Sequence, residues 1–216
     1  PACQMGRAFT ARHDPRSAAT ASPWLDAYIM YSRMWSPRAH DDFHESAGLW
    51  LLSTVAARRV AIDFGKRRFT SLYIALASRT SVFAKSTTAD IAQEILRIAG
   101  LSYLLAPDDS TPQAFVKGMT YNVPVNWPDL TFEQQEERKR KLAFAGQKGW
   151  YFDEFGQKVS AMMKDGGFMA DFRGLLRKFD DTPDAYEYET ISRGSDIAYA
   201  PYLALLANLT PADLKP

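Results

Sequence analysis

The sequence has one cysteine, no long apolar run and almost no excess of either charge, and each shortage removes a class of protein. Cys3, the only thiol, cannot form a disulfide within the chain and leaves no cysteine-based zinc site, which favours a reducing compartment and a cytoplasmic protein. No apolar stretch approaches the ~20 residues that a membrane span requires. The opening residues, PACQMGRAFTARHD, lack the apolar centre of a signal peptide. Lys and Arg total 26 against 25 for Asp and Glu, so any nucleic-acid binding must come from a local patch. The 216 residues suit one large or two small domains with a sizeable core. Because the chain opens on Pro1 rather than Met, it reads as a piece of a longer protein.

What is present is an alternation of helical and strand patterns. Residues 1–22 are small, polar and basic and read as a linker or tail. Residues 23–64 read as a helical segment. Apolar residues at helical spacing predict one helix over 24–35, ended by Ser36-Pro37, and a second over about 42–60 with Asp41 or Asp42 as cap. Residues 65–216 read as the main domain, with short buried strands at 72–77, 101–106, 149–152 and 202–206. Helices are expected after Thr111-Pro112, over 131–144 with Glu136/Arg140 and Glu137/Lys141 at i,i+4, and over 157–164 and 168–179. Residues 186–191 and 197–199 resemble a hairpin. Thr210-Pro211-Ala212-Asp213 looks like a helix start, so the fold reads as cut short at its C-terminus. The fold class predicted is α/β, a mostly parallel sheet with helices on both faces. In such sheets ligands bind beyond the carboxyl ends of the strands.

One stretch carries chemistry. In SLYIALASRTSVFAKSTT an apolar run is followed by a polar turn and then Lys85-Ser86-Thr87 at the start of a helical pattern. Strand, loop, Lys-Ser/Thr and helix is the layout of a phosphate-binding P-loop. Helix-start N–H groups attract anions, the lysine adds a full charge, and the hydroxyl can hold Mg²⁺. Glycine is missing where Arg79 and Ala84 stand; Ser78, Thr80 and Ser81 offer hydroxyl donors instead. Read alone, Ser86 or Thr87 is simply a helix cap. A second element raises the stakes: Asp153-Glu154 end the apolar run Trp150-Tyr151-Phe152, where an acid could hold the Mg²⁺ shell and Glu154 orient or deprotonate water. A plain strand-to-loop transition is the competing reading. Asn208, after a later apolar strand, is a polar sensor candidate or a turn residue.

Other features are weaker. His40 and His44 stand at i,i+4 beside acidic residues, so a metal centre is conceivable, though no third ligand stands out. Lys164, Arg173 and Arg193 could meet DNA or a neighbouring subunit, with solvated surface as the simpler reading. The basic run from Arg138 to Lys141 reads as a solvated helix face.

The segments FHESAGLWLLSTVAARRV, TSLYIALASRTSVFAKSTT, GWYFDEFGQ and PYLALLANLTPADL, in that order, resemble an uncharacterised family of RecA-like P-loop ATPase domains. Such domains occur in primase–helicase replication proteins of phages, plasmids and mobile elements, and the resemblance covers roughly residues 24–216. It implies an ATP-hydrolysing core of a helicase-like DNA replication protein, working with ATP and Mg²⁺. It further implies DNA as partner through the full-length protein, a homo-oligomeric ring and a fused primase domain. By the resemblance Lys85 and Glu154 are catalytic. Ser81, Ala84, Lys85, Ser86 and Thr87 bind nucleotide, Ser86 and Asp153 hold the metal, and Asn208 is the sensor. No arginine finger can be assigned. The alternative is a degenerate P-loop module that docks DNA or serves structure without hydrolysis.

Overall fold

In the computed structural model, residues 22–63, 65–79, 84–164, 166–167, 169–190 and 194–213 are described. Ser81, with Thr80 and Arg193, lies outside them. The chain is α/β, with a central sheet of three strands, all parallel. In chain order the elements begin with α1 (Pro23–Trp35), α2 (Asp41–Ala56), β1 (Ala61–Asp63), β2 (Arg67–Phe69), β3 (Tyr73–Ala77) and α3 (Lys85–Ile98). Then come α4 (Pro112–Gly118), α5 (Phe132–Leu142), β4 (Gln147–Phe152), α6 (Phe155–Met162) and α7 (Ala170–Asp180). The last are β5 (Ala185–Thr190), β6 (Gly194–Tyr199) and β7 (Tyr202–Leu209).

The central sheet has the order β3–β7–β4, so the last strand is inserted between two earlier ones. Every residue of β7 is buried, as expected of a strand covered on both faces. Its period of two divides the core. Leu203, Leu205 and Ala207 join α4, α6 and α7 on one face, with Trp150, Phe172 and Phe179 fully buried among them. Tyr202, Ala204 and Leu206 join α1, α2 and α3 on the other, where Trp50 of α2 is fully buried and donates its indole N–H to the Ala204 carbonyl at 3.1 Å. Gly149 on β4 lets α2 come this close, because a Cβ there would run into the Thr54 side chain.

The structure departs from the sequence reading in several places. The sheet is wholly parallel but small, and the other strands among the described residues form two antiparallel pairs: β5–β6, in line with the hairpin expected over 186–199, and β1–β2. The β1–β2 pair was not anticipated: its strands are three residues each and largely exposed, too short for a hydrophobic pattern to register. Residues 101–106 form no strand. A 3₁₀ turn occupies Ser102–Leu104, and only a single bridge, Leu105 to Gly149, touches the sheet. Helix α2 stops at Ala56, where Ala57 turns to φ 44°. On α5 the capping box of Thr131 and Gln134 forms, but Glu136 pairs with Lys139 rather than Arg140. No helix among the described residues is long and apolar enough to cross a membrane.

Candidate functional site

Register brings the polar residues together. Leu76 on β3 lies opposite Asn208, and Phe152 on β4 lies opposite Ala207, so Asp153 emerges beside Asn208 at the carboxyl ends of the strands. Asn208 continues the face of Tyr202, Ala204 and Leu206, the face that carries α3 and Tyr151. There a cleft of about 380 Å³ is lined by Lys85, Ser86 and Thr87 at the start of α3, by Asp153, Glu154 and Gln157, by Asn208, and by Arg79, Thr210 and Asp213.

The contacts form a chain from the start of α3 across the ends of β4 and β7. Ser86 Oγ donates to Asp153 Oδ2 at 3.0 Å. Asn208 Nδ2 donates to Asp153 Oδ1 at 3.0 Å and to the Tyr151 hydroxyl at 2.9 Å. A carboxylate only accepts, so the amide nitrogen must face Asp153, and that fixes the orientation of Asn208. Its Oδ1 is buried and has no hydrogen-bond partner among the described residues. Burial, partly offset by the Ser86 hydroxyl, pushes the Tyr151 phenol well above its ordinary range, so Tyr151 stays neutral.

Lys85 Nζ donates to two backbone carbonyls, Ser78 O at 3.0 Å and Leu209 O at 2.5 Å. Burial lowers its pKa, while Asp153 and Asp213 oppose that shift. Asp213 accepts from the Thr210 N–H at 2.7 Å and hydroxyl at 2.8 Å, which hold its carboxyl below the usual range. Gly156 permits this turn to pack on α6, because a Cβ there would collide with the Asp213 carboxyl. Glu154 is oriented by Gln157, whose Nε2 donates to Glu154 Oε2 at 2.9 Å.

Among the described residues no side chain caps the start of α3. The first N–H groups of a helix have no partner within it, and Ala84 has no side chain able to cap them. Ala84 sits at φ 46°, ψ 39°, the left-handed conformation that glycine adopts at low cost. The departure from the glycine pattern therefore places a Cβ in a strained backbone rather than removing the turn. Glu154 is also left-handed, at φ 53°. Strained backbone of this kind persists only where the surroundings over-determine it.

Of the residues singled out from the sequence, Ala84, Lys85, Ser86, Thr87, Asp153, Glu154 and Asn208 line this one cleft. Sequence reading missed Tyr151, Gln157, Thr210 and Asp213 as its neighbours. Tyr151 was legible as the residue one period of two before Asp153, but only the strand order shows that Asn208 meets it. Ser86 Oγ and Asp153 Oδ2 are two hard oxygens in contact, a donor set suited to Mg²⁺, which keeps most of its waters and relies on substrate phosphate for the rest.

The histidine centre is a correction. His44 is fully buried, with Nδ1 2.7 Å from Ser32 Oγ, and His40 caps α2 by accepting from the Asp42 N–H at 3.3 Å. One ring is in the core and the other at the helix end, and no group of three or more His, Cys, Asp or Glu among the described residues is arranged to hold a metal. Arg173 sits on the exposed face of α7, with an N–H directed at Met163 Sδ 3.7 Å away.

Comparison with protein families, with curated proteins and with solved structures finds no match for this chain.

Proposed function

We propose that the cleft is a Mg-ATP site and that the chain is the ATP-hydrolysing core, RecA-like in organisation, of a helicase-like DNA replication protein. The observation that carries the reading is the hydrogen-bonded chain Ser86–Asp153–Asn208, set beside Lys85 at an uncapped helix start. Side chains from the start of α3 and from the ends of β4 and β7 converge there, where open α/β sheets bind ligands. Nothing in packing alone asks for a lysine, a hydroxyl and two acids at one point.

In this reading the N–H groups of Lys85, Ser86 and Thr87 receive phosphate oxygens, and Lys85 leaves the Ser78 and Leu209 carbonyls to meet the outer phosphates. Ser86 and Asp153 would hold Mg²⁺, which would supply positive charge to neutralise the phosphoryl oxygens. Glu154 takes the proton from a water whose oxygen bonds to the γ-phosphorus as the bond to the β–γ bridging oxygen breaks. Asn208 Oδ1, buried without a partner among the described residues, has an acceptor left for a donor on the bound ligand or its water.

The alternative, a P-loop module that no longer hydrolyses, is favoured by one observation: Lys85 is already satisfied by two carbonyls behind a loop lacking glycine. Equilibrium binding decides the nucleotide site. Mg-ATP is expected to bind wild type and to be lost in Lys85→Ala; equal binding by both sinks the proposal. Turnover that rises with single-stranded DNA is expected of the replication role, and its absence, even in the full-length protein, favours the non-hydrolysing module.

A further inference from the structure

A second cleft, of about 470 Å³, runs along α3 from Thr87 to Ile98 and is walled on its other side by Tyr31 and Trp35 of α1. Thr87 lines both this groove and the polar cleft at Lys85, so the two adjoin at that residue. We infer that this groove seats the base and ribose of the nucleotide whose phosphates lie at Lys85, an inference that rests on the nucleotide reading above.

The chemistry of the walls fits a flat heteroaromatic base. Thr87, Ile91 and Ile95 follow at i, i+4 and i+8, one stripe of the helix, and give the groove an apolar floor. Tyr31 and Trp35, also four apart, stand over it with ring centroids 6.3 Å apart and planes tilted by 59°. Trp35 is 67% and Tyr31 43% exposed, so both ring faces are accessible for a base to stack on. Asp90, one turn past Ser86, sits on the same groove and offers only acceptors, matching the exocyclic amine of adenine. Burial, and then the charge of Asp153, push its carboxyl upward, as happens in a site partly closed to water. The volume lies in the range of small-molecule sites. A chain of phosphates anchored at the helix start can pass Thr87 into this groove.

The test compares Mg-ATP with Mg-tripolyphosphate, which carries the phosphates without base or sugar, on wild type, Trp35→Ala, Trp35→Phe and Lys85→Ala. Circular dichroism and sedimentation serve as fold and assembly controls. Trp35→Ala is expected to bind ATP about tenfold more weakly, the scale of one lost base–aromatic stack. It should bind tripolyphosphate like wild type, and Trp35→Phe should recover most of the ATP affinity. Wild-type ATP affinity in Trp35→Ala, or equal affinity of wild type for ATP and tripolyphosphate, overturns the groove while leaving the phosphate site standing if Lys85→Ala loses both ligands. If wild type binds neither ligand, both readings fall. A change in sedimentation on Trp35→Ala without a change in ATP affinity makes the groove a contact between copies and also overturns the base subsite.

Discussion

The two ends of the same three-stranded sheet are built on opposite terms. At the amino end most polar groups close on one another, although Gln147 Oε1 is buried there with no hydrogen-bond partner among the described residues. Tyr202 donates to Ser53 O at 2.9 Å, the Ser53 hydroxyl meets the Thr70 carbonyl at 2.7 Å, and Ser71 donates to Leu203 O at 2.7 Å. Arg58 caps the carbonyls of Thr182, Pro183 and Pro201 while its guanidinium lies 4.4 Å from the Phe69 ring centroid. At the carboxyl end a lysine rests on two carbonyls, and among the described residues a buried amide oxygen has no partner and a helix start carries no side-chain cap. Buried atoms without a partner among the described residues also occur at Gln147 on the amino end and at Trp150 and His44 in the core, so the contrast rests on the clustering of Lys85, Ser86, Asp153 and Asn208 at one helix start rather than on the Asn208 oxygen alone.

The contrast can be broken most decisively by Glu154→Gln. The exchange keeps shape and removes the base, so ATP turnover is expected to fall by about 100-fold or more while Mg-ATP affinity changes little. Loss of binding and turnover in equal measure would place Glu154 in ligand binding instead. At the other end, Arg58→Met strands three carbonyls and is expected to cost roughly 2 kcal/mol of folding stability in urea titrations. It should leave nucleotide affinity unchanged, and a tenfold loss of affinity would show that the ends are not independent.

A smaller effect is expected at the strained turn. Ala84→Gly removes the Cβ from a left-handed residue and should raise stability by about 0.5–1 kcal/mol. A fall in stability would mean that the turn is not strained in solution. The smallest effect concerns His44, whose pKa burial holds below its ordinary 6.5. The unfolded chain then takes up the proton first, so stability is full above about pH 6.5 and declines as pH falls through that value. His44→Asn, which retains a group near Nδ1 for Ser32, should flatten this part of the profile. An unchanged slope assigns the titration elsewhere.

The parts that are legible in the sequence are those where a local signal and a chemical one coincide. Lys85-Ser86-Thr87 stood at a helix start, and Asp153-Glu154 ended an apolar run, so both could be read without knowing the fold. The position of β7 could not, because strand order in space is not chain order: a strand ending at Asn208 becomes the neighbour of both β3 and β4 only through tertiary pairing. Nor could the partner of Asp213, whose place beside Gly156 depends on the approach of two turns far apart in sequence. Residues 101–106 misled because a short apolar run fits a strand or a buried 3₁₀ turn equally well, and only packing chooses.

The most direct measurement is a crystal structure with Mg²⁺ and a non-hydrolysable ATP analogue. The account predicts phosphate oxygens on the N–H groups of Lys85, Ser86 and Thr87, with Lys85 Nζ moved from the Ser78 and Leu209 carbonyls onto the phosphates and the metal between Ser86 and Asp153. An empty cleft at saturating analogue, with Lys85 still on both carbonyls, would contradict it.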